Sequence, residues 1–178
     1  TPSDTPLVAL DQDDVDRLED DVPGLVDILP LSPLQQGLVF HAAMAGGDDP
    51  YVVQHSVGLA GPLDPARLRA AADRLVDRHP TLRARFRELA DGRVVQVVGP
   101  AAPAAWREVD LVGLDPDERD RRAALVADDD RVRGVDLAEG PLVRFTLLRL
   151  GDAEHRLVLT CHHVAADGWS APLILRDL

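Results

Sequence analysis

Pro141-Leu142-Val143-Arg144-Phe145-Thr146-Leu147-Leu148-Arg149-Leu150 and, after Gly151-Asp152-Ala153-Glu154, His155-Arg156-Leu157-Val158-Leu159-Thr160 are the clearest strand patterns in the chain. Aliphatic and β-branched residues dominate both, and the short polar connection between them predicts an antiparallel hairpin. The second strand runs straight into Cys161-His162-His163-Val164-Ala165-Ala166-Asp167-Gly168-Trp169-Ser170. Two imidazoles, a carboxylate and a glycine therefore stand where a buried strand ends. Average residue usage makes a chance His-His with aspartate at plus four and glycine at plus five rarer than about one in a thousand for a chain this long. The cluster reads as a site.

Strand geometry divides the two histidines. Side chains alternate along a strand, so His155, Leu157, Leu159, Cys161 and His163 face one way and Arg156, Val158, Thr160 and His162 the other. One imidazole is free to point into a reaction channel while the other braces the strand from behind. Asp167 is close enough along a turn to fix the loop, by itself or by pairing with a distant arginine. Gly168 removes a side chain where a substrate might approach and has access to positive φ. Cys161 has no accompanying oxyanion or orienting signature, so it reads as a small buried hydrophobe and not as a nucleophile. The remaining histidines, His41, His55, His79 and His155, lack metal-ligand spacing, and no metal is expected.

Outward from the hairpin, Ser32-Pro33-Leu34-Gln35 carries a capping serine, a first-turn proline and a glutamine three beyond the cap, which predicts a helix from Pro33 to Met44. Gly46-Gly47-Asp48-Asp49-Pro50 should break it before a strand over Tyr51 to Leu59. Asp64-Pro65 opens a helix whose stripe is Leu68, Ala71, Ala72 and Leu75, ending near His79-Pro80. Leu82 to Arg87 and Arg93 to Val98 should pair through Asp91-Gly92. A charged helix follows from Asp115-Pro116 to Arg133, anchored by Leu125, Val126 and Val132. These elements predict the α/β class: a two-layer sandwich with helices on a mixed, largely antiparallel sheet. Residues 1–27 are acidic and proline-containing and read as a solvated interdomain linker, although Val15 and Leu18 have helical spacing; residues 28–178 read as one lobe.

Composition narrows the function. With 178 residues and 46% apolar content the chain is long enough to bury one core, and with 3% aromatics that core must be aliphatic. A net charge of -12 argues against a nucleic-acid partner. All 19 basic residues are arginine. One cysteine excludes an internal disulfide and suits a reducing cytoplasm. No long apolar span or basic-then-apolar leader is visible, so no membrane role is expected. The chain begins without methionine and stops inside the helix-like run Ala171 to Leu178, so both ends look cut.

His162, His163, Asp167 and Gly168 together resemble the His-His-x-x-x-Asp-Gly motif of the condensation domains of nonribosomal peptide synthetases, and Trp169-Ser170 extends the likeness as neighbours of the site. Arg78-His79-Pro80-Thr81-Leu82-Arg83-Ala84-Arg85-Phe86 is similar to a second motif of that family, and Pro30 to His41 to its opening helix. The resemblance implies one lobe, the N-terminal one, of a chloramphenicol-acetyltransferase-like fold. It implies amide-bond formation between a donor acyl or peptidyl thioester and an aminoacyl acceptor, both carried on the phosphopantetheine arms of carrier proteins. No cofactor is bound directly. The implied partners are donor and acceptor peptidyl carrier domains, the C-terminal lobe and an adenylation domain.

By the same resemblance His163 faces the reacting atoms, His162 and Asp167 are structural, and Gly168 leaves room beside the tetrahedral intermediate. Arg78 and Arg83 become candidates for an ion pair with Asp167. The Pro30 to His41 segment and Trp169 to Pro172 look like the subclass that joins a D-configured donor to an L-configured acceptor. An acyl-CoA-dependent acyltransferase with the shorter His-x-x-x-Asp motif and a non-catalytic carrier-docking module are the alternatives.

Overall fold

The hairpin that ends at the histidine pair is the spine of the fold. In this computed structural model, which describes residues 7–45 and 49–178, β6 (Val143–Arg149) pairs antiparallel with β7 (Glu154–His162), setting Val143 opposite Cys161 and Arg149 opposite His155. Leu150 N–H donates to the Glu154 carbonyl at 2.9 Å and closes the turn. All of β6 except Arg149 is buried, the polar Arg144 and Thr146 included.

Before the hairpin come α1 (Gln12–Asp21), β1 (Asp27–Pro30), α2 (Pro33–Met44), β2 (Val52–Ala60), α3 (Pro65–Arg78), β3 (Ala84–Glu88), β4 (Val94–Val98), β5 (Ala105–Asp110) and α4 (Pro116–Val132); α5 (Ser170–Asp177) follows it. The expected single sheet is two: a four-stranded sheet in the order β2-β7-β6-β5 and a three-stranded sheet in the order β1-β4-β3. The β5–β6 pair is parallel and every other pair antiparallel, so the architecture is α/β with mixed and antiparallel sheets. β7 is central, paired with β2 along its whole length and with β6 from His155 to Cys161.

Several local readings hold because their physics is local. α2 begins and ends where its cap predicts: Gln35 N–H donates to Ser32 Oγ at 3.2 Å, and Ser32 N–H donates back to Gln35 Oε1 at 3.0 Å. Gly92 takes φ +83° in the β3–β4 turn, the left-handed conformation that favours glycine there. The expected break at Gly46-Gly47-Asp48 lies outside the described residues.

Other readings need correction. Pro80–Arg83 form a 3-10 turn, so the strand starts at Ala84 and not at Leu82. In α4 the buried residues are Ala123, Val126 and Asp130, while Leu125 and Val132 are exposed. That helix turns its alanine face onto Leu148 and Val158 of the sheet and seats Asp130 against Arg144, whose Nε donates at 2.9 Å. The acidic segment before residue 27 is not simply solvated. Asp11 caps α1 by accepting from Asp14 N–H at 2.8 Å, and Leu18 and Val22, each 2% exposed, pack against Val95 and Val97 of the small sheet and against Leu89 just after β3.

Candidate active site

The ladder that ends β7 continues one residue past it. His162 sits opposite Val52 in the register, and the next amide, His163 N–H, donates to the Tyr51 carbonyl at 2.9 Å. The alternation expected from strand geometry is therefore kept through the pair. His163 lines a cavity of about 70 Å³ with Val53, His55, Leu159, Cys161 and Ala166. His162 turns to the opposite side, where it is 0% exposed.

The surroundings of His162 decide its protonation. Its Nδ1 accepts the Val164 N–H at 3.0 Å, which requires that nitrogen to be bare. The proton is therefore on Nε2, which donates to Asp49 Oδ2 at 2.9 Å. Burial pushes the imidazole below its ordinary range, with the Asp49 bond opposing that only in part, so the ring is neutral. The turn after it is closed by Ala165 N–H donating to the His162 carbonyl at 3.0 Å. Gln35, the capping-box glutamine of α2, bridges the small sheet and the turn: its Nε2 donates to Gln96 Oε1 of β4 at 3.1 Å and to the Val164 carbonyl at 3.3 Å.

Asp167 has a different partner from the one expected. Its carboxylate accepts from Ser170 N–H at 2.9 Å and from Ser170 Oγ at 2.7 Å, and it pairs with neither Arg78 nor Arg83. These bonds hold its carboxyl below the usual carboxylate range. Arg83 instead donates to the carbonyls of Val76, Asp77 and Gly99, so it satisfies the open end of α3. Arg78 is exposed. Its neighbour His79 ties α3 to α5, with Nε2 3.1 Å from Asp177 Oδ2; that contact, ahead of the nearby arginines, lowers the Asp177 carboxyl.

Gly168 does not use positive φ. A Cβ built there meets nothing within 4 Å among the described residues, so none of them demands glycine. Trp169 beside it is 86% exposed. Ser170 is the Asp167 partner and the first residue of α5. Cys161 is buried, and burial pushes its thiol up to about 11, which keeps it protonated and unsuited to nucleophilic attack.

Sequence reasoning missed Asp49, which lies 113 residues from His162, and Tyr51, whose carbonyl extends the ladder. It also passed over Asp177. Among the described residues no three His, Cys, Asp or Glu side chains converge on a metal-sized site. No helix among them is long and apolar enough to cross a membrane.

What this arrangement offers chemically is a half-buried imidazole at the mouth of a small cavity, held by a strand that is braced on both sides. Proteins of known kind share this sequence and this fold. Residues 26–178 match the family model described as Condensation domain. The chain is 37% identical over 179 residues to one of the linear gramicidin synthase proteins of Brevibacillus parabrevis, covering 99% of this chain and 2% of that protein. It is 37% identical over 143 residues to N-(5-amino-5-carboxypentanoyl)-L-cysteinyl-D-valine synthase of Amycolatopsis lactamdurans, covering 79% of this chain and 4% of that protein. The first condensation domain of the calcium-dependent antibiotic synthetase, solved in complex with a substrate analogue, superposes with a TM-score of 0.77 at 26% identity, covering 85% of this chain and 36% of that one. The chain thus spans a few per cent of these synthetases and about a third of a solved condensation domain. With the family model matched over residues 26–178 and synthetase relatives at 37% identity, this chain belongs to the condensation domain family of nonribosomal peptide synthetases.

Proposed function

We propose that this chain is the N-terminal lobe of a condensation domain that joins a carrier-bound donor acyl or peptidyl thioester to a carrier-bound aminoacyl acceptor, with His163 as the residue at the reacting atoms. The observation that carries the reading is the position of His163: its ring lines a cavity at the end of the central strand, next to an open loop at Gly168. In the reaction the acceptor nitrogen bonds to the thioester carbon, the C–S bond breaks, and the proton lost from nitrogen ends on the released thiol. A free α-amine titrates near 8 and is partly neutral at working pH, so full deprotonation by His163 is not required. A positioned base supplies roughly a hundredfold to ten-thousandfold, whereas alignment of two tethered reactants supplies about 7 to 11 kcal/mol. Orientation comes first, and proton acceptance at His163 from the tetrahedral intermediate second.

Gly168 leaves room for a phosphopantetheine arm, and His162 and Asp167 hold the loop. Trp169 and Leu173, both exposed beside the cavity, suit coverage by a second wall from the C-terminal lobe. The donor and acceptor peptidyl carrier domains bring the arms, the adenylation domain of the same module loads the acceptor, and the assembly works in the cytoplasm without a cofactor of its own. Pro30 to His41 and Trp169 to Pro172 support a D-configured donor and an L-configured acceptor. The isolated lobe, with one tunnel wall, is expected to be inactive.

The test is condensation between two loaded carriers by the complete synthetase. His163→Ala is expected to lower the rate at least a hundredfold, and the 178-residue chain alone to give no product. A variant that condenses at full rate, or an active isolated lobe, overturns the reading.

A further inference from the structure

Asp49 has no assigned part in this site, yet two donors converge on it. Oδ1 accepts the Tyr51 N–H at 2.9 Å, and Oδ2 accepts His162 Nε2–H at 2.9 Å. Its side chain is 9% exposed and that of His162 0%. Tyr51 is also the residue whose carbonyl takes the His163 N–H. One carboxylate therefore touches both strands that meet at the catalytic imidazole.

We infer that Asp49 is a positioning residue: by accepting from both Tyr51 N–H and His162 Nε2–H it fixes the His162 tautomer that holds Val164 N–H, and so aims His163. The logic runs through hydrogen-bond polarity. Val164 N–H is always a donor, so His162 Nδ1 must stay bare, and the ring's single proton has to be on Nε2. That proton needs a fixed acceptor, because a buried donor left unpaired is costly. An aspartate supplies two acceptor oxygens for two donors. An asparagine supplies one acceptor and one amide donor, so one of the two bonds becomes a donor facing a donor. Relief by moving the imidazole proton to Nδ1 sets it against Val164 N–H and loosens the turn over residues 162–165.

This inference rests on His163 acting at the reacting atoms, and the experiment separates the two ideas. In the complete condensation domain, labelled with 15N-histidine, His162 is expected to show a protonated Nε2 and a bare Nδ1 at neutral pH. Asp49→Asn, assayed below its own unfolding transition, is expected to lower kcat at least tenfold while KM for the carrier-borne acceptor stays within twofold, and to shift the His162 nitrogen signals. Asp49→Glu, which keeps two acceptor oxygens, is expected to retain the Nε2–H signature and to recover part of the rate. A wild-type His162 that is protonated on Nδ1 overturns the inference, as does an Asp49→Asn enzyme that turns over at the wild-type rate. If Asp49→Asn is fully active while His163→Ala is inactive, only the positioning role fails. If His163→Ala itself is fully active, the functional reading fails, and the tautomer measurement still stands or falls alone.

Discussion

His162 is completely buried with both ring nitrogens bonded, whereas His163, the next residue, is half-buried and faces a cavity. The same side chain type on the same strand thus serves two ends, because a strand turns neighbours to opposite faces. The inward histidine is satisfied at every polar atom and fixes the backbone. The outward one has no hydrogen-bond partner at its ring among the described residues, which leaves it to meet something that arrives. The pattern continues past the pair. Val164 and Ala166 are buried while Asp167, Gly168 and Trp169 are exposed, so rigidity on one side of the turn ends where openness on the other begins.

If that division is right, mutating the two histidines should damage different quantities. His163→Ala is expected to cost rate without stability. His162→Ala should cost stability first: it opens a cavity, leaves the Val164 N–H without its acceptor and strips Asp49 of a donor. Truncating a large buried side chain together with its hydrogen bonds is worth about 3 kcal/mol, read as a lower midpoint in urea unfolding of the complete domain. Equal unfolding midpoints for the two variants would erase the distinction.

A smaller effect follows from acid. Burial holds His162 below the ordinary imidazole value of about 6.5, so the unfolded chain binds the proton more readily than the folded one. Its contribution to stability is complete above that value and is lost as pH falls through and below it. Unfolding midpoints at about pH 7.5 and 5.5 should therefore differ more for the wild type than for His162→Ala. The carboxyls held low by hydrogen bonds, Asp91, Asp167 and Asp177, start from 3.8 and move further down, so they do not titrate in that window. Parallel pH slopes for the two proteins would show that His162 is not buried neutral.

The parts of this arrangement that are legible in the sequence are those whose cause is local. The β6–β7 hairpin shows in aliphatic runs around a polar turn, α2 in its capping box, and the opposed histidines in the period of a strand. What escapes is set by tertiary partners. β1 is a four-residue strand ending in proline, recognisable only once β4 lies beside it. β5, with Arg107, Glu108 and Asp110, has no strand pattern of its own, yet an edge strand tolerates such charges. α1 is rich in aspartate, and its buried Leu18 and the capping Val22 after it gain meaning only against the small sheet. Asp49 follows Gly46-Gly47-Asp48 in the sequence and has no signal of its own. The pairing of Val52 with His162 is what carries it to the end of β7. The supposed Asp167–arginine pair failed for the complementary reason: Ser170, three residues on, satisfies the carboxylate locally.

The smallest effect on stability is also the one that best probes the open side. Gly168 has no positive φ, and a methyl group in place of its hydrogen would meet no neighbour within 4 Å, so Gly168→Ala should leave the unfolding midpoint unchanged to within about 0.5 kcal/mol. Nothing among the described residues gives glycine an advantage there. If the position is nevertheless kept clear for a substrate arm, the added methyl acts only when both reactants are loaded, and the condensation rate should fall several-fold. Longer side chains at the same position should deepen the loss in proportion to their reach, still without moving the midpoint. A rate that is indifferent to alanine and to valine would mean that the opening beside His163 is ordinary surface, and that the approach to the imidazole comes from another direction. A change in stability with either residue would mean that the loop is packed more closely than its exposure indicates, and the contrast between the braced and the open side of the turn would have to be redrawn.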